Sequence, residues 1–151
     1  MRNFATLDEM RPLVGQEVAV SEWVEITQQR INQFADATDD QQWIHIDPER
    51  CERESPFGFP VAHGFLTLSL VSNLFDTSLR MGEASMVVNY GMNKVRFPAP
   101  VPVGSRVRAR MTLLAITDLA DCAQLEWKVV IECEGGGKPV CVAELLLRRY
   151  P

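Results

Sequence analysis

The sequence predicts an α+β fold, a curved antiparallel sheet wrapped around a central helix, and three observations lead there. Apolar residues in the second half recur with a period of two, as in strands with one buried face. Val107, Ala109, Met111 and Leu113 alternate with Arg106, Arg108 and Arg110, and Leu125, Trp127, Val129, Ile131 and Cys133 with Glu126, Lys128, Glu132 and Glu134. The stretch from Phe65 to Phe75 is instead apolar nearly all round, which suits a helix enclosed by other elements. Finally, the chain has 151 residues, 46% of them hydrophobic, the size of one ordinary domain. Such a chain buries roughly two-thirds of its unfolded surface without staples. Residues 1–151 are read as a single domain.

The elements follow in order. Residues 17–24 carry Val18, Val20, Trp23 and Val24, a short strand. Thr27 caps a helix running to about Ala37, with Ile26 and Ile31 placed as a hydrophobic staple and Ile31, Phe34 and Ala35 forming its apolar face. Asp47-Pro48 opens a short helical turn, since proline suits the first helical position after an Asp cap. Ser55 to Pro60 is a loop, Val61-Ala62-His63-Gly64 follows, and then comes the apolar helix. Residues 86–97 and 139–149 complete the long strands, divided by turn-rich segments at Pro98–Gly104, Thr117–Cys122 and Gly135–Pro139. A sheet with one helix-covered face buries this set economically. A central helix gripped by such a sheet is the hot-dog arrangement.

Composition removes several function classes. Fifteen Lys+Arg against twenty Asp+Glu leave a net charge of -5, and an acidic chain lacks the basic surface of non-specific nucleic-acid binding. The hydrophobic share is too high for disorder. Four cysteines, Cys51, Cys122, Cys133 and Cys141, show no CxxC spacing and no adjacent histidine, so no zinc site is expected and the thiols read as free. No apolar run reaches the ~20 residues that span a bilayer, and Met1-Arg2-Asn3-Phe4 opens no secretion signal; the expectation is a cytoplasmic protein.

The densest ionisable cluster lies between Asp36 and Glu54, where seven acids and two arginines carry as much net charge as the whole chain. Most of it reads as a solvated acidic helix end. Asp40 and His45 differ. Their spacing is roughly 140° apart on a helix and on opposite faces of a strand, so only a bent segment brings them together. Trp43-Ile44 supplies apolar anchors for such a bend. A carboxylate and an imidazole converging on one water make an acid–base pair suited to neutral pH. Downstream, His63-Gly64 precedes the apolar helix. The first amides of a helix are unpaired, and glycine lets a substrate approach them closely. His63 reads as a hydrogen-bonded structural residue there rather than as a base.

The run Phe34-Ala35-x-Ala37-Thr38-x-Asp40-x(4)-His45-x-Asp47, followed by Pro56-Phe57-Gly58 and Ala62-His63-Gly64-Phe65-Leu66, resembles the MaoC-like family of R-specific enoyl-thioester hydratases. The resemblance continues through Asn89-Tyr90-Gly91, Asn93 to Pro98 and Pro102-Val103-Gly104, and so covers most of the chain. Gln42-Trp43 in place of Asn-Pro is similar to the nodulation-protein-N-like branch, and Asp39 stands where the family usually has glycine. The resemblance implies a homodimer of hot dogs that adds water reversibly, in syn fashion, to a trans-2-enoyl thioester, giving the (3R)-hydroxyacyl thioester. Asp40 and His45 would hold the water, either one serving as base, and the Gly64 N–H would be the oxyanion hole. His63, Asn89, Asn93 and Arg96 would contribute to substrate binding. No metal or cofactor is implied, because the thioester, on coenzyme A or acyl carrier protein, is itself the substrate. Two other readings share the fold: a non-catalytic acyl-thioester binding protein, suggested by Asp39, and a thioesterase, against which the Asp40-x(4)-His45 spacing argues. Lys94 and Arg96, or Arg106, Arg108 and Arg110, would meet an anionic carrier if they are not simply a solvated strand face.

Overall fold

The computed structural model describes residues 1–82 and 84–151. Its elements run β1 (Arg2–Phe4), β2 (Glu17–Val20), β3 (Val24–Glu25), α1 (Gln28–Thr38), α2 (Trp43–Ile46), α3 (Pro48–Glu54), α4 (Gly64–Ser69), α5 (Val71–Asp76), β4 (Leu79–Met81), β5 (Met86–Arg96), β6 (Arg106–Asp118), β7 (Ala123–Cys133) and β8 (Cys141–Tyr150). The main sheet is antiparallel in the order β2-β6-β7-β8-β5, with β3 also on β6, while β1 and β4 form a short parallel pair. This is the predicted α+β hot dog. Among the described residues no helix is long and apolar enough to cross a membrane.

The period of two explains the core. Val107, Ala109, Met111 and Leu113 of β6 and Leu125, Trp127, Val129 and Ile131 of β7 are fully buried, and they meet Leu66, Val71, Leu74 and Phe75 of α4 and α5. Phe75 meets the Trp127 ring edge-on at 5.2 Å. Each of the larger side chains contributes about 1.5–3 kcal/mol by leaving water. The opposite row of β6 and β7 is an ion-pair ladder. Arg106 pairs with Glu134, Arg108 and Arg110 share Glu132, and Arg110 also reaches Glu17. Burial pushes the Glu132 carboxyl up, but its two arginines outweigh that and hold it below its ordinary range. The arginine stripe is therefore neutralised across strands, as a solvated strand face. Lys94 likewise pairs with Glu144.

Two predicted elements are divided. The strand expected over residues 17–24 breaks at Ser21, whose hydroxyl accepts the Ala109 N–H at 2.9 Å while its own N–H bonds the Ala109 carbonyl. A side chain thus replaces a rung of the ladder, and the strand resumes at β3. The apolar helix bends at Leu70 into α4 and α5, and it is enclosed on one side only, with Phe65 70% exposed. Its open side faces β5, an edge strand exposed along most of its length and bulged between Asn89 and Gly91 and between Met92 and Lys94. All four cysteines are free, and Cys141 is buried enough for its thiol to be pushed up to about 11.

Candidate active site

The bend that joins Asp40 to His45 is built from local rules. Thr27 Oγ1 accepts the Arg30 N–H at 3.2 Å to start α1, and Ile26 and Ile31 staple it, both fully buried. The helix stops at Asp39, which adopts φ 57° and ψ 20°, the left-handed conformation that ends many helices. Asp tolerates that region better than most residues, so the turn survives the absence of glycine. Asp47 Oδ1 then caps α3 by accepting the Arg50 N–H at 2.9 Å.

Between these helices, α2 is held by hydrogen bonds more than by its apolar side chains. Gln28 Nε2 donates to the His45 carbonyl at 2.7 Å, the Val61 N–H donates to the Ile44 carbonyl at 3.1 Å, and His45 Nδ1 lies 2.6 Å from the Val61 carbonyl. Trp43 and Ile44, the expected anchors, are only half-buried, and Trp43 stacks under the Arg50 guanidinium at 4.4 Å. A carbonyl only accepts, so Nδ1 carries the proton and Nε2 of the neutral ring presents its lone pair. Burial lowers the His45 pKa, with the neighbouring His63 adding to the effect, while the Val61 bond and Asp40 oppose it. The ring is therefore poised as a neutral base.

His63 completes the cluster. Its ring stacks on His45 at 3.8 Å between centroids, its Nε2 lies 3.0 Å from the Asp40 carbonyl, and the Asp40 carboxylate is 4.0 Å from the same nitrogen. One acceptor or donor atom from each of Asp40, His45 and His63 falls within 4.8 Å of the others. Asp40 is half exposed, whereas His45 and His63 are buried, so the group sits at the boundary of solvent and core. It is a poor metal centre despite its composition. Metal bonds lie in the imidazole plane, and two stacked rings 3.8 Å apart and inclined by only 24° keep their lone pairs in separate, nearly parallel planes, a poor arrangement for sharing one ion.

Gly64 follows as the first residue of α4, where the backbone N–H has no intrahelical acceptor. A Cβ at Gly64 would lie 3.1 Å from the ring of Phe97, just past β5, so any larger residue would press on that ring at the helix start. Gly64, Phe57, Thr67 and Phe97 line a cavity of 260 Å³. A larger one of 440 Å³ lies between α5, β4, β5 and β8, lined by Val71, Phe75, Leu145, Leu147 and Asn89. Asp40 and His45 line neither, so chemistry rather than cavity size marks the site.

The other substrate-binding candidates lie apart from this cluster. Asn89 faces α5 and reaches Ser72 Oγ at 3.4 Å, Asn93 sits in the second bulge of β5, and Arg96 is exposed with its guanidinium turned back to the Val95 carbonyl at 2.7 Å. Sequence reading missed Gln28 and Val61, which hold His45. The Val61 contribution is a carbonyl, which no side-chain pattern reveals.

A MaoC like domain model matches residues 9–132. The chain belongs to this family. Within it, the chain is 48% identical to 3-hydroxyacyl-thioester dehydratase Z of Mycobacterium tuberculosis, with 98% of each chain covered. It is also 43% identical to Nodulation protein N of Rhizobium meliloti, covering 91% of this chain and 87% of that protein. Among solved structures, the monoamine oxidase regulatory protein of Archaeoglobus fulgius superposes with a TM-score of 0.77 at 24% identity, over 99% of this chain and 97% of that one. The MaoC-like assignment agrees with the fold read from the sequence and with the branch suggested by Gln42-Trp43.

Proposed function

We propose that this chain adds water reversibly to trans-2-enoyl thioesters to give (3R)-hydroxyacyl thioesters, a hydro-lyase reaction, acting as one domain over residues 1–151 in the cytoplasm. The observation that carries the reading is the convergence of Asp40 and His45 next to the glycine-opened start of α4. A family relative named for dehydration of 3-hydroxyacyl thioesters supports it. In the hydration direction, a water held by Asp40 and His45 gives a proton to His45 Nε2 as its oxygen bonds C3 of the enoyl group. The electron pair of the C2–C3 double bond moves toward the thioester carbonyl, and the Gly64 N–H donates a hydrogen bond to the developing oxyanion. The imidazolium, stabilised by the Asp40 carboxylate, returns its proton to C2 on the same face. Water is thus added in full and the enzyme is restored.

The acyl carrier is coenzyme A or acyl carrier protein, and the chain acts as a homodimer. The edge strand β5 supports the dimer: Met86, Val87, Val88, Tyr90 and Met92 are all exposed along it, a row that monomeric proteins avoid presenting. Asp39 adopts the left-handed geometry that a glycine would take there, which supports the catalytic reading over a binding-only one.

The test is turnover of a short enoyl thioester. Asp40→Asn and His45→Gln are each expected to reduce hydration by at least about 10³-fold while the fold is retained. Full activity in both variants overturns the proposal, and release of free thiol in the same assay assigns a thioesterase instead.

A further inference from the structure

We infer that His63 is a positioning residue, whose Nε2–H, donated to the Asp40 carbonyl, holds the carboxylate-bearing turn against His45. The inference rests on the acid–base reading of Asp40 and His45 proposed above. His63 caps α4, and its own carbonyl accepts the Thr67 N–H at 3.2 Å and the Thr67 hydroxyl at 3.4 Å. The ring therefore stands on the central helix, and it is only 2% exposed. It lies against His45 at 3.8 Å, and Phe34 of α1 meets it at 5.0 Å, tilted by 54°.

The ring edge reaches the Asp40 carbonyl across 23 residues of sequence. Because a carbonyl only accepts, this bond places the neutral ring's proton on Nε2 and leaves a lone pair on Nδ1. That Nδ1 is buried and has no hydrogen-bond partner among the described residues. An unpaired buried nitrogen destabilises the fold, a cost that an apolar side chain in the same place would avoid. What an apolar side chain cannot supply is the donor to Asp40.

The turn needs that donor. It follows Asp39 in its left-handed conformation, and the Asp40 side chain is half exposed, with its hydrogen bond from the Gln42 N–H long at 3.4 Å. His63 thereby touches three parts of the site: Asp40 by hydrogen bond, His45 by its ring face, and Gly64 by the peptide bond.

The test compares the wild type with His63→Phe and His63→Gln. Phenylalanine keeps a flat ring on His45 but has no donor, whereas the glutamine amide carries an N–H near the place of Nε2. With a short enoyl thioester, His63→Phe is expected to lower kcat by roughly 10²-fold with KM changed less than about twofold, the mark of misplaced catalytic groups. His63→Gln is expected to recover to within about tenfold of the wild type. The NMR signal of the Asp40 carbonyl carbon is the second readout, expected to move in the phenylalanine variant and to stay near the wild-type position in the glutamine one. Wild-type kcat in His63→Phe overturns the inference, as does a glutamine variant no better than the phenylalanine one. If His63→Phe does not fold, a kcat in His63→Gln lower than the wild type by more than about 10²-fold overturns it. A wild type without turnover overturns the hydratase reading instead; the carbonyl signal then decides alone, and an unmoved signal in His63→Phe overturns the positioning role.

Discussion

His45 is tuned by four influences: burial and the stacked His63 disfavour its protonated form, while the Val61 carbonyl and the Asp40 carboxylate favour it, and the first pair prevails. Its folded pKa is therefore depressed below the unfolded value of about 6.5. Two consequences share this sign. The unfolded chain binds that proton more readily than the folded one, so the contribution of His45 to stability is complete above the unfolded value and is lost as pH falls toward the folded one. Denaturant midpoints at about pH 7.5 and about pH 5.5 are expected to differ more in the wild type than in His45→Gln. In turnover, the acidic limb of kcat/KM is expected to lie below that of an ordinary histidine, and a pH-rate profile measures it. Asp40, His45 and the spacing between them were legible in the sequence because ionisable side chains are visible there. The tautomer was not, since a backbone carbonyl 16 residues away sets it.

At the scale of elements, the end of α1 decides whether the acid–base turn exists. Asp39 is the one non-glycine with positive φ among the described residues. Asp39→Gly is expected to leave thermal stability unchanged or raised, because glycine adopts this conformation freely. Asp39→Val should cost more than about 1 kcal/mol, since a β-branched side chain clashes in the left-handed region. Thermal unfolding of the two variants distinguishes these outcomes. The caps at Thr27 and Asp47, the staple of Ile26 and Ile31, and the alternation of β6 and β7 were readable from short-range pattern. The breaks at Ser21 and Leu70 were not. The first depends on a hydroxyl meeting Ala109 of a strand 88 residues away, and the second divides a helix whose composition is uniformly apolar.

At the scale of the molecule, burial is uneven. The row facing α4 and α5 from β6 and β7 is dry, whereas β5 and the adjoining Phe65 and Phe97 remain open. Pairing of two β5 edges would cover that surface and extend the sheet. Light scattering is expected to give the mass of a dimer, and Val88→Lys, which places a charge on the edge, is expected to shift the population to monomer. A monomeric wild type contradicts the dimer. The arginine stripe does not offset the acidic net charge toward an outside anion, because its members are committed to Glu17, Glu132 and Glu134.

The sequence by itself determined the layers of the fold and the residue types of the candidate site. Periodicity and capping act over a few residues, and ionisable side chains announce their chemistry wherever they stand. Only the tertiary structure decided which of those residues meet. It drew His63 to the Asp40 turn and to the face of His45, left Asn93 and Arg96 on an edge strand, and matched each stripe arginine with an acid on, or just past the end of, a neighbouring strand. Contacts across 20 or more residues of sequence depend on how the helices seat in the curved sheet, and that seating is a property of the packed core rather than of any local run.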